Sequence, residues 1–237
     1  VTTSTNVTVN KATAIVTLGN LTATYDGTAK SATAITTPSD LTVNFTYDGA
    51  ATAPTAAGTY AVVGTINDAN YTGTASGSLV IGKASATVTL GNLTATYDGT
   101  AKSATATTTP SGLTVNFTYD GSATAPTAAG TYAVVGTISD GNYSGSTSGS
   151  LVIGKASATV TLENLTATYD GSAKSATAAT TPSGLIVNFT YDGSATAPTA
   201  AGTYAVVGTV SDANYTGSAS GSLVISPPAS RSFSVWA

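Results

Sequence analysis

The chain has no cysteine, no histidine and no methionine, and only 8% of its 237 residues are charged, against a usual share of about 25%. Each absence closes a class of function. Without cysteine there is neither a disulfide framework nor a thiolate metal site. Without histidine the abundant hydroxyls have no imidazole to act as their base. Seven cations spread along a chain of net charge −4 cannot form the basic face that a nucleic acid requires. No apolar run approaches the ~18 residues of a membrane span, and no signal peptide remains in a chain that is expected to be processed or cut. The missing methionine points to a processed product or a fragment. What remains is a chain rich in Thr, Ser, Ala and Gly, a composition that fits a secreted or cell-surface bacterial protein.

What is present is one unit written three times. Lys11, Lys83 and Lys155 open near-identical copies with a period of 72 residues, and Pro227 stands where a fourth lysine would. The second and third copies differ at only about nine positions. Such self-similarity is the signature of a tandem array. It divides the chain into a lone closing-type strand (1–10), three repeats (11–82, 83–154 and 155–226) and a C-terminal tail (227–237). A residue present in triplicate on successive modules rarely builds one catalytic centre, so no enzyme and no cofactor are expected.

In the middle copy, Leu113-Thr-Val115-Asn-Phe117-Thr-Tyr119 alternates strictly between apolar and polar, as does Leu93-Thr-Ala95-Thr-Tyr97, which predicts half-buried strands. Tyr132 to Ile138 alternates too, with Gly136 on the inward side as a bulge or a close backbone approach. Thr87–Leu90 and Ser150–Ile153 supply opening and closing strands, and Ala101–Thr108 a weaker sixth run. No segment has helical periodicity. Asp98-Gly99 and Asp120-Gly121 read as hairpin turns, and Pro110 to Gly112 and Pro126 to Gly130 as turns of another kind. Short strands punctuated this often predict an antiparallel β-sandwich. In so small a unit, Tyr97, Phe117, Tyr119, Tyr132 and Tyr143 are expected to supply most of the core.

These same residues carry a resemblance. Leu-Thr-Ala-Thr-Tyr-Asp-Gly-Thr-Ala-Lys, Gly-Leu-Thr-Val-Asn-Phe-Thr-Tyr-Asp-Gly, Ala-Gly-Thr-Tyr-Ala-Val-Val-Gly-Thr-Ile, Asn-Tyr-Ser-Gly and Gly-Ser-Leu-Val-Ile together resemble the MBG/YDG repeats of bacterial surface proteins, over about nine-tenths of the chain. The resemblance implies three tandem Ig-like antiparallel β-sandwich modules in a linear array, within a large secreted or adhesin-like protein. It implies no catalytic or binding residue.

The ends stand outside the three complete units. Val7-Thr8-Val9-Asn10-Lys11 aligns with Leu79-Val80-Ile81-Gly82-Lys83, so the chain opens on a closing strand without its domain. The tail carries Phe233, Val235 and Trp236, the last the one tryptophan. Either the array is cut in mid-repeat, or a terminal strand pairs with a neighbouring copy of the chain. In the second case Val7, Val9, Phe233, Val235 and Trp236 are the candidate intermolecular contacts.

Several motifs lose to plainer readings. Gly77-Ser-Leu-Val-Ile-Gly82-Lys83-Ala84 comes close to a phosphate-binding loop, but its middle reads as a strand and Ala stands where Ser or Thr must hold Mg²⁺. Lys102 and Ser103 are neighbours on a predicted strand, so they face opposite ways. Asp98 and Asp120 are turn formers on separate tips. Asp140 and Asn142 offer too few oxygens for Ca²⁺, which takes about 6–8. Lys83 and Lys102 lack the Asn and carboxylate partners of an internal isopeptide bond and read as solvated lysines. Ten of twelve asparagines lie in Asn-x-Thr/Ser, which a chain saturated with Thr and Ser explains.

The expected function is a structural stalk or spacer, roughly 100–120 Å long if modules of ~8-residue strands stand end to end. Two alternatives stand beside it. One is an extracellular filament subunit joined through terminal strands. The other, weaker one is a glycan- or protein-binding adhesin segment with a ligand at a distal tip.

Overall fold

The computed structural model describes residues 8–229, and among them every regular element is a β-strand. In the first copy the strands are β1 (Ala12–Thr13), β2 (Ile15–Gly19), β3 (Thr22–Thr24), β4 (Thr33–Thr37), β5 (Val43–Tyr47), β6 (Gly58–Ile66), β7 (Tyr71–Thr72) and β8 (Thr74–Gly82). Eight strands recur in the second copy, from Ala84–Ser85 to Ser146–Gly154, and eight in the third, from Ala156–Ser157 to Ser218–Ser226. The protein is thus all-β and built of three repeated units. By its contacts the chain falls into two compact units. One holds the first copy with residues 83–90, 106–117 and 135–148, and the other holds the third copy with residues 91–105, 118–134 and 149–154.

Within the first copy, β3, β8, β6 and β5 form a four-stranded sheet in that order, and β2 pairs with β4. The third copy repeats both sheets. The expectation of antiparallel pairing throughout does not hold. β3 runs parallel to β8, with Ala23 opposite Ile81, and β1 runs parallel to β7, with Ala12 opposite Tyr71. The reason lies at Asn20, whose φ of 53° breaks a single rising run into β2 and β3. The chain changes sheets there without reversing direction, and so arrives beside β8 pointing the same way. Asn is one of the few non-glycine residues that accepts this backbone cheaply, and Asn92 and Asn164 repeat it at 53° and 56°.

The two Tyr-Asp-Gly turns also differ. Asp48-Gly49 makes the expected tight reversal, with φ of 46° and 85° and paired hydrogen bonds between Tyr47 and Ala50 (Tyr47 N–H to Ala50 O 2.7 Å, the reverse 2.9 Å). Asp26-Gly27 makes no hairpin, because β3 and β4 lie in different sheets. Its loop crosses between them. Lys102 and Ser103 of the second copy lie in the corresponding loop and not on a strand, which there begins at Thr105.

The core is more aliphatic than expected. Val62 and Leu79 are fully buried and Ile81 nearly so, with Ala32 and Tyr47 completing the cluster, and Leu18, Leu21 and Phe45 pack around it. Ala176, Tyr191, Val206, Leu223 and Ile225 do the same in the third copy. Each fully buried aliphatic side chain contributes about 1.5–3 kcal/mol. Of the five aromatics expected in the middle copy's core, Tyr119 alone is buried, while Phe117 and Tyr132 are half-buried. The buried tyrosine has a polar task as well: the Ala32 N–H donates to the Tyr47 hydroxyl (2.9 Å), as Ala104 does to Tyr119 and Ala176 to Tyr191. That bond ties the crossing loop to β5.

Gly136 is a close approach without a bulge. Its counterpart Gly64 keeps unbroken register with Phe45 and Ala75. A Cβ on Gly64 would lie 3.0 Å from Leu18 Cδ2 and 3.1 Å from Val43 Cγ1, and a Cβ on Gly136 3.1 Å from Leu90 Cδ2. Leu18 therefore rests on bare backbone. Tighter still is Gly73, where a Cβ would meet the Ala14 carbonyl oxygen at 2.2 Å, a contact with backbone that only a shift of the strand could relieve. Gly73→Ala is expected to destabilise the first copy by about 2–3 kcal/mol in chemical denaturation. Gly141→Ala, at a site with nothing within 4 Å and Ala at the equivalent positions 69 and 213, is expected to stay within about 0.5 kcal/mol.

Candidate functional site: the junctions between copies

Among the described residues no group of His, Cys, Asp and Glu could hold a metal ion. The side chains that the structure does bring together lie where one copy meets the next. β8 ends at Gly82, and the first strand of the second copy begins at Ala84, leaving Lys83 as the entire linker. The Gly82 carbonyl accepts the Tyr25 N–H (2.8 Å), and the Lys83 ammonium donates to the Asp140 carbonyl (2.6 Å). Ala84–Ser85 then pairs in parallel with Tyr143–Ser144.

Two contacts close the junction from the side. The Ala57 N–H of the first copy donates to Asn142 Oδ1 of the second, 85 residues away, at 2.9 Å. The rings of Tyr25 and Tyr143 meet edge to face, with centroids 5.4 Å apart and planes at 81°, a preferred geometry for a pair of aromatic quadrupoles. The next junction repeats every element. Ala129 N–H donates to Asn214 Oδ1 (2.8 Å), Tyr97 meets Tyr215 (5.3 Å, 81°), and Lys155 donates to the Asp212 carbonyl (2.6 Å).

Each partner is held from behind. Asp140 Oδ1 accepts the N–H groups of Asn142 (2.7 Å) and Tyr143 (2.9 Å), an Asx turn that aims both side chains at the preceding copy. On the other side, Asp26 braces the loop that follows Tyr25. Its carboxylate accepts the Thr28 N–H (2.9 Å), the Thr28 hydroxyl (2.6 Å) and the Lys30 ammonium. Asp98 with Lys102 and Asp170 with Lys174 repeat the arrangement.

The residues singled out from the sequence take new places here. Tyr97 and Tyr143 meet tyrosines of other copies. Asp140 and Asn142, weighed as calcium ligands, spend their oxygens on backbone N–H groups. Lys102 is largely covered and ion-paired with Asp98, whereas Lys83 is exposed, as read from the sequence, and donates to a carbonyl. The stretch that imitates a phosphate-binding loop lies mostly within β8. Val9 is 88% exposed and in no strand. Val7, Phe233, Val235 and Trp236 lie outside the described residues. The junction itself was signalled only by the recurrence of Asp-x-Asn-Tyr at 68–71, 140–143 and 212–215.

With this geometry in place, comparison with known families gives a consistent result. Residues 14–85, 86–157 and 158–229 each match the MBG domain, and the chain belongs to that family as three tandem repeats. No curated protein matches the chain.

The braces also set an acid dependence. The lysine contact, then the neighbouring hydroxyl and amide, hold Asp26, Asp98 and Asp170 well below the usual carboxylate range. A folded-state pKa that is depressed contributes stability above the unfolded value, about 3.9 for Asp, and loses it as pH falls toward the folded one. These carboxylates are exposed, so the effect is small and salt-sensitive. The melting temperature of the wild type is expected to fall more steeply from pH 4 to pH 2 than that of the triple variant D26N/D98N/D170N. Equal slopes in a thermal scan series would remove the braces from the account.

Proposed function

We propose that the chain is a stalk or spacer segment of an extracellular bacterial surface protein, and that it acts by transmitting position and force rather than by chemistry. The observation that carries this reading is the one-residue linker with its lateral clamp. A flexible tether would leave successive modules free to turn, and at about 5–6 Å per square root of residue number even a short Gly/Ser linker supplies such slack. One lysine between two paired strands supplies almost none. We read each copy as an Ig-like β-sandwich module and the array as linear, with length added by repetition.

The parallel partnership of β3 and β8 supports a mechanical role. Strands that lead in and out of a module side by side, in the same direction, are loaded in shear when its ends are drawn apart. Several hydrogen bonds must then break together. Secretion or surface display accords with the family and with the absence of cysteine. The threefold redundancy and the lack of histidine favour a non-enzymatic role.

Small-angle scattering tests the clamp. The wild type is expected to scatter as an extended particle, and the quadruple variant N142A/Y143A/N214A/Y215A to show a shorter maximum dimension and a more flexible profile with unchanged circular dichroism. Indistinguishable profiles would sink the stiffening role of the junctions. Pulling on single molecules tests the load-bearing role: three similar unfolding steps are expected, each releasing about 20–24 nm for a 72-residue copy.

A further inference from the structure

The four-stranded sheet of the first copy runs β3, β8, β6, β5, which leaves the outer side of β5 without a neighbouring strand, and the third copy leaves Val187–Tyr191 the same way. The phase of the ladder fixes which groups face outward. The Asn67 N–H donates to the Thr42 carbonyl and the Asp48 N–H to the Ala61 carbonyl (both 2.8 Å). Residues 42, 44, 46 and 48 therefore turn their backbone groups toward β6, and Val43, Phe45 and Tyr47 turn theirs away. Tyr47 spends its N–H and its carbonyl on Ala50. Those of Val43 and Phe45 meet no partner among the described residues. The third copy has the same phase, with Ser211 N–H donating to the Ile186 carbonyl and Asp192 N–H to the Ala205 carbonyl (both 2.8 Å).

This edge is reachable. A groove of about 530 Å³ is lined by all of β5 together with the small residues Ser31, Ala51 and Ala53. In the third copy Val187–Tyr191 lines one of about 490 Å³ with Ser175, Ala195 and Ala197. The first copy keeps the groove open with a copy after it, and the third with a copy before it, so an adjoining copy on either side does not cover it. The devices that usually block edge-to-edge pairing are missing too. Val43–Tyr47 contains no charged residue and no proline, and its register with β6 has no bulge.

We propose that this edge pairs with the same edge of a second copy of the chain, antiparallel and centred on Asn44. The strand's own pattern selects that occupant. By residue class, Thr42-Val43-Asn44-Phe45-Thr46 reads alike in both directions: hydroxyl, apolar, amide, apolar, hydroxyl. Turned end for end, Val43 of one molecule comes opposite Phe45 of the other, and each such pair exchanges both N–H···O bonds, for roughly four hydrogen bonds in all. A β-branched residue opposite an aromatic one, and threonine opposite threonine, are favourable cross-strand pairs. The two exposed Asn44 side chains meet on the two-fold axis, where each amide can donate to the other. The contact is isologous. The same segment recurs at 114–118 and, with Ile186 in place of the first threonine, at 186–190, so association is not confined to a pair. No strand leaves its own copy, and the pairing does not depend on the stalk reading.

The test is sedimentation equilibrium on the full chain between about 10 μM and about 1 mM. Wild type is compared with the triple variants N44K/N116K/N188K and N44E/N116E/N188E. All three positions are exposed, and circular dichroism with a thermal scan checks that each variant folds. The mean mass of the wild type is expected to rise with concentration toward twice the monomer value or beyond. Each variant alone is expected to stay monomeric, because like charges meet directly opposite one another. An equimolar mixture of the two is expected to associate again, with lysine opposite glutamate. A wild type that stays monomeric to about 1 mM overturns the proposal. So does a lysine variant that associates as the wild type does, or a mixture that stays monomeric, since another surface or another register would then be responsible.

Discussion

Everything in this protein depends on the length of the connection between copies. With Lys83 alone between two hydrogen-bonded strands, the first residues of one module are placed by the last strand of the module before it. That constraint brings Asn142 within 2.9 Å of the Ala57 N–H and sets the Tyr143 ring edge-on to Tyr25. Neither contact would be strong alone. A single hydrogen bond is worth about 0.5–1.5 kcal/mol net and an aromatic pair about as much beyond its buried area. The short linker removes most of the freedom that such weak contacts would otherwise have to overcome.

Within a copy, the same economy appears as packing on glycine. A unit of this size cannot bury large side chains on every strand, and it closes its two sheets by seating Leu18 on the bare backbones of Gly64 and Gly77. Alanine at position 32 and the tyrosine hydroxyl above it then fix the crossing loop with one buried bond. The polar groups of the turns are satisfied by Asp, Thr and Ser a few residues away, and no buried side-chain polar atom among the described residues lacks a partner.

The repeat, its period and its strands were legible because period-two alternation and Asp-Gly turns report directly on a chain that is half-buried. The runs at Val115–Tyr119 and Gly130–Ile138 are strands much as their alternation indicates. Less legible was which strand faces which. Tyr25-Asp26-Gly27 and Tyr47-Asp48-Gly49 are near-identical in sequence, yet one crosses between sheets and the other reverses the chain, because the neighbours available to the next strand differ. Tyr143 looked like a core residue since apolar rings usually are, and its contact with Tyr25 lies 118 positions away.

Composition and repetition by themselves determined that the protein is an all-β array of three repeats without histidine or cysteine, since these are properties of residue type and local period. Tertiary structure alone decided that β3 runs parallel to β8, because that pairing depends on a left-handed turn at Asn20. It alone decided that Asn142, Tyr143, Ala57 and Tyr25 meet. Those residues belong to different copies, and only the geometry of a one-residue linker between two folded modules brings them together.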